Sequence, residues 1–288
     1  MTKLAKISVG GKNPIRIMGI LNTSPESFFK KSIHQSKNQI LNSVIEMEAD
    51  GADFIDVGGM STAPYLSTNV SEKIESQRIL NAIKIIQNST NIPISIDTVH
   101  SSTAKLALEY GVEIINDISG LKYDPRMAST ISKYSPSVIL CAFSKKPISG
   151  NLISSTQKLL DESIKIATDS KISLKKIVLD PSIGFFRKTG KGKFFTKINS
   201  DWVQRDLEII KNLSKIKKDL PILISISNKS FLGEILEKKD PSDRIFGSIA
   251  AEAISVMYGA DIIRTHNVSQ TKDAITIAKK LIKWHKGL

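Results

Sequence analysis

Seven times along this chain a short apolar run ends in a side chain able to do chemistry. Residues 17–22 close on Asn22, 54–56 on Asp56, 94–97 on Asp97, 114–117 on Asp117, 177–180 on Asp180, 222–229 on Lys229 and 262–266 on His266. Stretches with helical spacing separate the runs. Parallel strands alternating with helices collect their ends at one rim, so the pattern predicts an α/β fold, a (β/α)₈ TIM-type barrel with one shared site.

The spacing predicts strands over 15–21, 54–57, 94–97, 114–117, 137–141, 177–180, 222–227 and 262–265. Helices are expected over 35–50, 71–88, 101–110, 126–133, 152–170, 202–216, 243–258 and 269–284. Gly51, Gly111 and Gly259 stand where helices should stop, and DGAD, YGVE and YGAD repeat the same helix-stop, strand-start phrase. Residues 1–14 read as an N-terminal β-hairpin region with its turn at Gly10-Gly11, placed to plug the barrel floor. No linker divides residues 1–288, which are expected to form a single domain. The loops 24–33, 60–68 and 185–199 are longer than plain connections need. All follow strands, so they belong to the catalytic face.

Composition excludes several classes. No run approaches the length of a membrane span, and the opening MTKLAKISVGG lacks a signal-peptide core, so a cytoplasmic protein without membrane partners is expected. The lone Cys141, inside SVILCAF, rules out an internal disulfide and a thiolate metal cluster, and reads as a structural thiol. A formal charge of +13 would attract anions. Its lysines are scattered over the expected helices without interleaved aromatics, which argues against nucleic acid as a partner.

Asp97, Asn116, Asp117, Asp180 and Lys229 terminate apolar strands, where a polar group needs a partner. Bonds to neighbours would account for each alone; a ligand rich in donors accounts better for the set. Arg264 and His266 are two apart on one strand and point to one side, a pair suited to phosphate oxygens. Gly58-Gly59 with Ser61 and Thr62 offer backbone approach and hydroxyls to an anion, though the same residues make ordinary turns.

Seven segments in order, MGILNTSPESF, GADFIDVGGMSTAP, ISIDT, IINDISG, LDPSIGF, NKSF and RTHNV, make the chain resemble the dihydropteroate synthase family of pterin-binding barrels, from Ile17 to about Ala278. The resemblance implies condensation of a dihydropterin pyrophosphate with an arylamine, with Mg²⁺ as cofactor and pyrophosphate released. It implies that Asp97, Asn116, Asp180 and Lys229 hold the pterin. Asn22, Thr62, Arg264 and His266 would take the pyrophosphate, with Asn22 also near the metal, and Ser230 and Pro64 would meet the arylamine. Asp97, Lys229, Arg264 and His266 would be the catalytic set, in a homodimer.

The chain departs from the bacterial pattern on the arylamine side. Ala63 and Asn228 stand where that pattern has Arg, Met60 where it has an acid, and Asn267 where it has Asp. The basic stretch GFFRKTGKGKFFTKINSDW resembles archaeal members and is expected either to receive an extra phosphate, as on a ribosylated aminobenzene for a methanopterin-type cofactor, or to be a solvated lid. Two rivals share the barrel: a methyltetrahydrofolate-dependent methyltransferase, which has no need of the Arg-x-His pair, and a non-catalytic pterin-binding paralogue.

Overall fold

The computed structural model describes residues 1–26, 34, 36–66 and 70–285. Two short strands, β1 (Thr2–Leu4) and β2 (Ile7–Val9), form an antiparallel hairpin. Barrel strands follow as β3 (Arg16–Asn22), β4 (Phe54–Gly58), β5 (Ile94–Asp97), β6 (Ile114–Asp117), β7 (Ser137–Cys141) and β8 (Ile177–Asp180). After a two-residue parallel pair, β9 (Phe186–Arg187) with β10 (Thr196–Lys197), come β11 (Leu223–Ser225) and β12 (Ile262–Thr265). The eight long-sheet strands are all parallel, in the order β11-β12-β3-β4-β5-β6-β7-β8. A parallel bridge between Leu179 and Ile222 joins the two ends, so the expected eight-stranded barrel is present.

The helices are α1 (Lys37–Asp50), α2 (Glu72–Gln87), α3 (Ser101–Glu109), α4 (Met127–Tyr134), α5 (Leu152–Asp169), α6 (Trp202–Lys211), α7 (Leu213–Ile216), α8 (Ser230–Ile235), α9 (Ile245–Met257) and α10 (Val268–His285). The first starts at Ser36, whose hydroxyl caps Gln39 N–H while the Gln39 side chain returns the bond. Residue Gln35, expected as its first member, lies outside the described residues, as do parts of the loops expected over 24–33 and 60–68. Gly51 ends α1 in left-handed backbone at φ 95°, and Gly111 and Gly259 repeat that geometry. Three details differ from expectation. The helix expected over 202–216 breaks at Asn212, the 243–258 helix is entered through a tight turn at Pro241–Arg244, and α8 was not foreseen.

Parity along each strand separates two cores. Ile17, Ile55, Val57, Ile96, Ile115 and Val138 pack outward against the helices. Met18, Phe54, Ile114, Ile139, Val178, Leu223 and Ile262 point inward and fill the barrel floor together with Leu4 and Val9 of the hairpin. The plug is therefore as expected, but its turn is not. It falls at Ala5-Lys6, with Leu4 opposite Ile7, and Gly10-Gly11 come after the second strand. The reason is competition for partners: Arg16 and Ile17 are already paired in parallel with Ile262 and Ile263, leaving them unable to complete a hairpin around the glycines. Ser137 ties the plug down, donating to Lys3 O at 3.1 Å and accepting from Ala5 N at 2.9 Å.

Because Leu4 is completely buried in that floor, Leu4→Ala should lower unfolding stability by about 2–5 kcal/mol in urea titration. Lys6→Ala, at the exposed turn, should change it by less than about 0.5 kcal/mol. An unchanged midpoint for Leu4→Ala would place the hairpin outside the cooperative core.

Candidate active site

The strand ends open into one pocket at the rim opposite the plug. Asn22, Thr62, Asp97, Asn116, Asp180, Lys229, Arg264 and His266 all line it, so the eight positions expected around pterin and pyrophosphate are brought together. They come from strand ends and loops spread over the whole barrel, and no local stretch of chain would have collected them.

At the centre lies a charge network that the sequence reading missed. Arg264 donates through Nε to Asp56 Oδ2 at 2.6 Å and through a terminal nitrogen to Asp97 Oδ2 at 2.9 Å. Asn116 adds a bond from Nδ2 to Asp56 Oδ2 at 3.1 Å. Asp56 shares the inward face of β4 with Phe54 and is fully buried. The sequence marks it as a strand-closing acid, and that parity is the signal that would have given it a role in the site. The remaining oxygens, Asp56 Oδ1 and Asp97 Oδ1, are buried with no hydrogen-bond donor among the described residues. Burial pushes the Asp97 carboxyl up to about 7 against the opposing pull of Arg264, and the neighbouring Asp56 adds to the rise.

Across the pocket, burial likewise raises Asp180, with Lys229 opposing. Its Oδ1 accepts from Ser182 N at 2.7 Å. Lys229 Nζ donates to Ile183 O at 2.5 Å and sits 4.3 Å from the centre of the Phe185 ring. Desolvation brings this ammonium down to about 8. Gly184 is required here, since a Cβ at that position would lie 2.6 Å from Lys229 Cδ. The loop is held from behind by a fully buried pair: Arg205 donates to Pro181 O, Ser182 O and Asp206 Oδ1, while Asp206 Oδ2 accepts from Gly184 N at 2.9 Å.

His266 Nδ1 and Ser227 Oγ are 3.0 Å apart. Burial and the nearby positive Arg264 push the imidazole down to about 3, so it is neutral in ordinary buffers. Asp117 ends its strand like Asp97 but does different work. Its carboxylate accepts from Ser119 N, Ser119 Oγ and Leu121 N and thereby shapes its own loop. Cys141 is buried with its thiol pushed well up, in keeping with a structural role. The first loop is stapled to the second through Arg78, which bonds both Glu26 and Gly59 O at 3.0 Å.

Pro64 and Ser230 lie outside this pocket, in an adjoining cleft that shares Ala63, Phe185 and Lys229 with it. The 185–199 loop folds against the cleft. Lys191 N and Gly192 N both donate to Pro64 O, at 2.8 and 2.9 Å, and Phe194 packs with Val99, Ile118 and Cys141 beside Met60. A Cβ at Gly190 would lie 2.7 Å from that same Pro64 O. The apolar Met60 thus packs against the small cluster to which the loop contributes Phe194. Arg187 from β9 donates to Ser230 Oγ and stacks on Trp202, with Cζ 3.5 Å from the ring centre. Asn228 adopts left-handed backbone, and its carbonyl and carboxamide bond Arg244 and Ser248, so it serves the scaffold.

Known proteins share this chain's sequence pattern and fold. Residues 18–266 match the model for pterin binding enzymes. The dihydropteroate synthase of Bacillus subtilis is 35% identical over 259 residues, covering 90% of this chain and 86% of the relative. That of Clostridium beijerinckii is 36% identical, covering 93% and 94%. Among solved structures, a dihydropteroate synthase from Clostridium difficile, crystallised in the presence of pteroic acid, superposes with a TM-score of 0.82 at 33% identity, covering 94% of this chain and 98% of that one. The enzyme from Xanthomonas albilineans with 4-aminobenzoic acid gives 0.81 at 26% identity, over 93% of each chain. With the barrel, the ordered strand-end residues and these relatives in agreement, the chain belongs to the dihydropteroate synthase family of pterin-binding enzymes.

Proposed function

We propose that the chain is a transferase that condenses 6-hydroxymethyl-7,8-dihydropterin pyrophosphate with an arylamine and releases pyrophosphate, in folate or methanopterin-type cofactor synthesis. The observation that carries the reading is the convergence of Asp97, Asn116, Asp180, Lys229, Arg264 and His266 on one pocket. In this reading one pterin-binding barrel domain does the whole reaction.

Asp180 accepts from the adjacent N–H and amino donors of the pterin, Lys229 donates to a ring oxygen or nitrogen, and Asn116 gives and accepts. Asp97 offers its unbonded Oδ1 to the same ring. Arg264, His266, Asn22 and Thr62 face the diphosphate, where Arg264 supplies positive charge and the neutral His266 a hydrogen bond. The methylene C–O bond breaks with its electron pair leaving on pyrophosphate, and the arylamine nitrogen uses its lone pair to form the C–N bond before losing a proton. Buried carboxylates beside the pterin stabilise the cationic methylene between these events. The side chains position and polarise, and none forms a covalent bond.

Mg²⁺ fits as a substrate-borne ion. The described residues gather no group of three His, Cys, Asp or Glu that would hold a metal on their own. Asn22 would offer its carboxamide oxygen to such an ion, an oxygen donor of the kind Mg²⁺ takes. Bound there, Mg²⁺ would neutralise charge on the leaving group. A second copy is the proposed partner: α9 and α10 pack together, and each carries an exposed apolar side chain, Phe246 at 81% and Ile277 at 63%, of the kind a homodimer interface would cover. The single buried thiol supports a reducing cytoplasm, and among the described residues no helix is long and apolar enough to cross a membrane.

Mixing protein, Mg²⁺, the dihydropterin pyrophosphate and an arylamine should yield product; pterin binding without product would defeat the transferase reading. Asp180→Ala should weaken unphosphorylated pterin by about 10–100-fold in fluorescence titration, because a donor array loses its acceptor. Pterin affinity should also trace a bell against pH. Asp97 becomes an acceptor as pH rises through about 7, and Lys229 loses its proton above about 8. Lys229→Met should remove the alkaline limb. Arg264→Met should move the acid limb to higher pH, since Arg264 is the group that holds Asp97 down; a flat profile in the wild type would refute both assignments.

A further inference from the structure

Behind Asp97 lies a buried acid that the proposed reaction does not use. Glu75 of α2 is fully buried, and its carboxylate gathers side chains from the segment that leads out of β5 and into α3. Thr98 Oγ1 donates to Oε1 at 2.7 Å, His100 Nδ1 to Oε2 at 2.6 Å and Thr103 Oγ1 to Oε2 at 3.3 Å. Thr98 Oγ1 also accepts from His100 N at 3.2 Å, which closes the turn directly after Asp97. Among the described residues, His100 is the only cationic group at ion-pair distance from Glu75.

The surroundings favour the charged form of that partner. The bond to Glu75 raises His100 above the usual 6.5 while burial opposes, and Glu72 of the same helix and Asp124, ahead of α4, add to the rise. Asp97 feels the pair as well. Burial raises it against Arg264, and Glu75 joins Asp56 and Asp117 in adding to the rise. The imidazole also begins an aromatic ladder: Tyr123 meets it edge-to-face with ring centres 5.9 Å apart, and Phe194 meets Tyr123 in the same manner at 5.0 Å. Lys145 Nζ lies over the Tyr123 ring, 5.1 Å from its centre. Phe194 packs in turn with Val99, Ile118 and Cys141, and the last two line the pterin pocket.

We propose that Glu75 and His100 form a positioning pair: the carboxylate holds the Asp97 turn through Thr98, and the imidazole seats the 185–199 loop through Tyr123 and Phe194. Its bearing on the reaction rests on the reading of Asp97 as a pterin acceptor, to which it adds two residues that touch no substrate. The pair ties the end of β5 to a loop some ninety residues further along the chain, and both ends of that tie meet the pocket wall. Its members also act on Asp97 with opposite sign. The negative carboxylate makes ionisation of Asp97 harder and the imidazolium makes it easier.

Two readouts that need no ligand test the pair: the pH midpoint of the Asp97 carboxyl carbon by NMR, with the signal assigned from Asp97→Asn, and the rate at which trypsin nicks the loop at the exposed Lys188, Lys191 and Lys193. Glu75→Gln keeps the shape but removes the negative charge, so the midpoint should fall. His100→Phe removes the positive charge and keeps a ring against Tyr123, so the midpoint should rise while nicking stays at the wild-type rate. His100→Ala should show the same rise and be nicked about tenfold faster, because the ladder loses its end. Lost packing alone would not send the two partners in opposite directions. Midpoints that stay put, or that move the same way in Glu75→Gln and His100→Phe, would overturn the hold on Asp97, and equal nicking of His100→Phe and His100→Ala would overturn the hold on the loop. Should Glu75→Gln fail to fold, the His100→Phe midpoint decides alone. Pterin titration of the wild type judges the other reading separately: absence of binding sinks the pterin assignment, and the midpoints and nicking rates still decide the pair.

Discussion

Arg264 bridges Asp56 and Asp97, and the pocket is arranged around that contact. Two carboxylates from neighbouring strands would repel each other in so dry a place, and a lone guanidinium there would be equally unfavourable. Together they carry one net negative charge when both acids are ionised, and burial eases even that by raising Asp97, while among the described residues each acid is left an unbonded oxygen. The network thus fixes the orientation of Asp97 while leaving it able to accept. It also makes Arg264 a shared resource, tied to two acids on one side and, in the proposed reading, available to a diphosphate on the other.

A second tier of contacts sets the opposite wall. Arg205 stacks on Phe186 at 3.6 Å and Arg187 on Trp202, so consecutive residues of β9 take part in two arginine–aromatic layers supported by α6. Through Asp206 and Gly184 the same helix holds the loop that receives Lys229. Met60, Ala63 and the long loop, which look like unrelated departures along the chain, come together: Met60 packs against the cluster that holds Phe194, and the loop's glycines pass close over the backbone of Ala63 and Pro64.

The barrel and the pocket's members are legible in the chain because a polar residue that closes an apolar strand must find its partner at the rim. Asp117 shows the limit of that rule. It looks like Asp97 in the sequence, yet the Ser119 two residues on turns its carboxylate into a local brace. Asp56 is read as a strand-closing acid, but its pairing escapes for the opposite reason: its partner Arg264 lies 208 residues away, and only barrel closure makes them neighbours. The 185–199 loop reads equally well as a solvated lid because its order comes from a distant segment, Pro64, and from one inserted ring, Phe194. The hairpin turn is misplaced because a glycine pair is a strong local cue, whereas the claim of β12 on Arg16 is invisible locally.

The plug has a consequence for how the molecule assembles. Leu4 and Val9 rest on side chains from strands made early, midway and last, with Leu223 and Ile262 among them. On a ribosome, the first strands to emerge therefore have no floor to settle into until almost the entire polypeptide has followed. Contacts so remote in sequence slow folding and leave apolar surface uncovered until the last strands arrive.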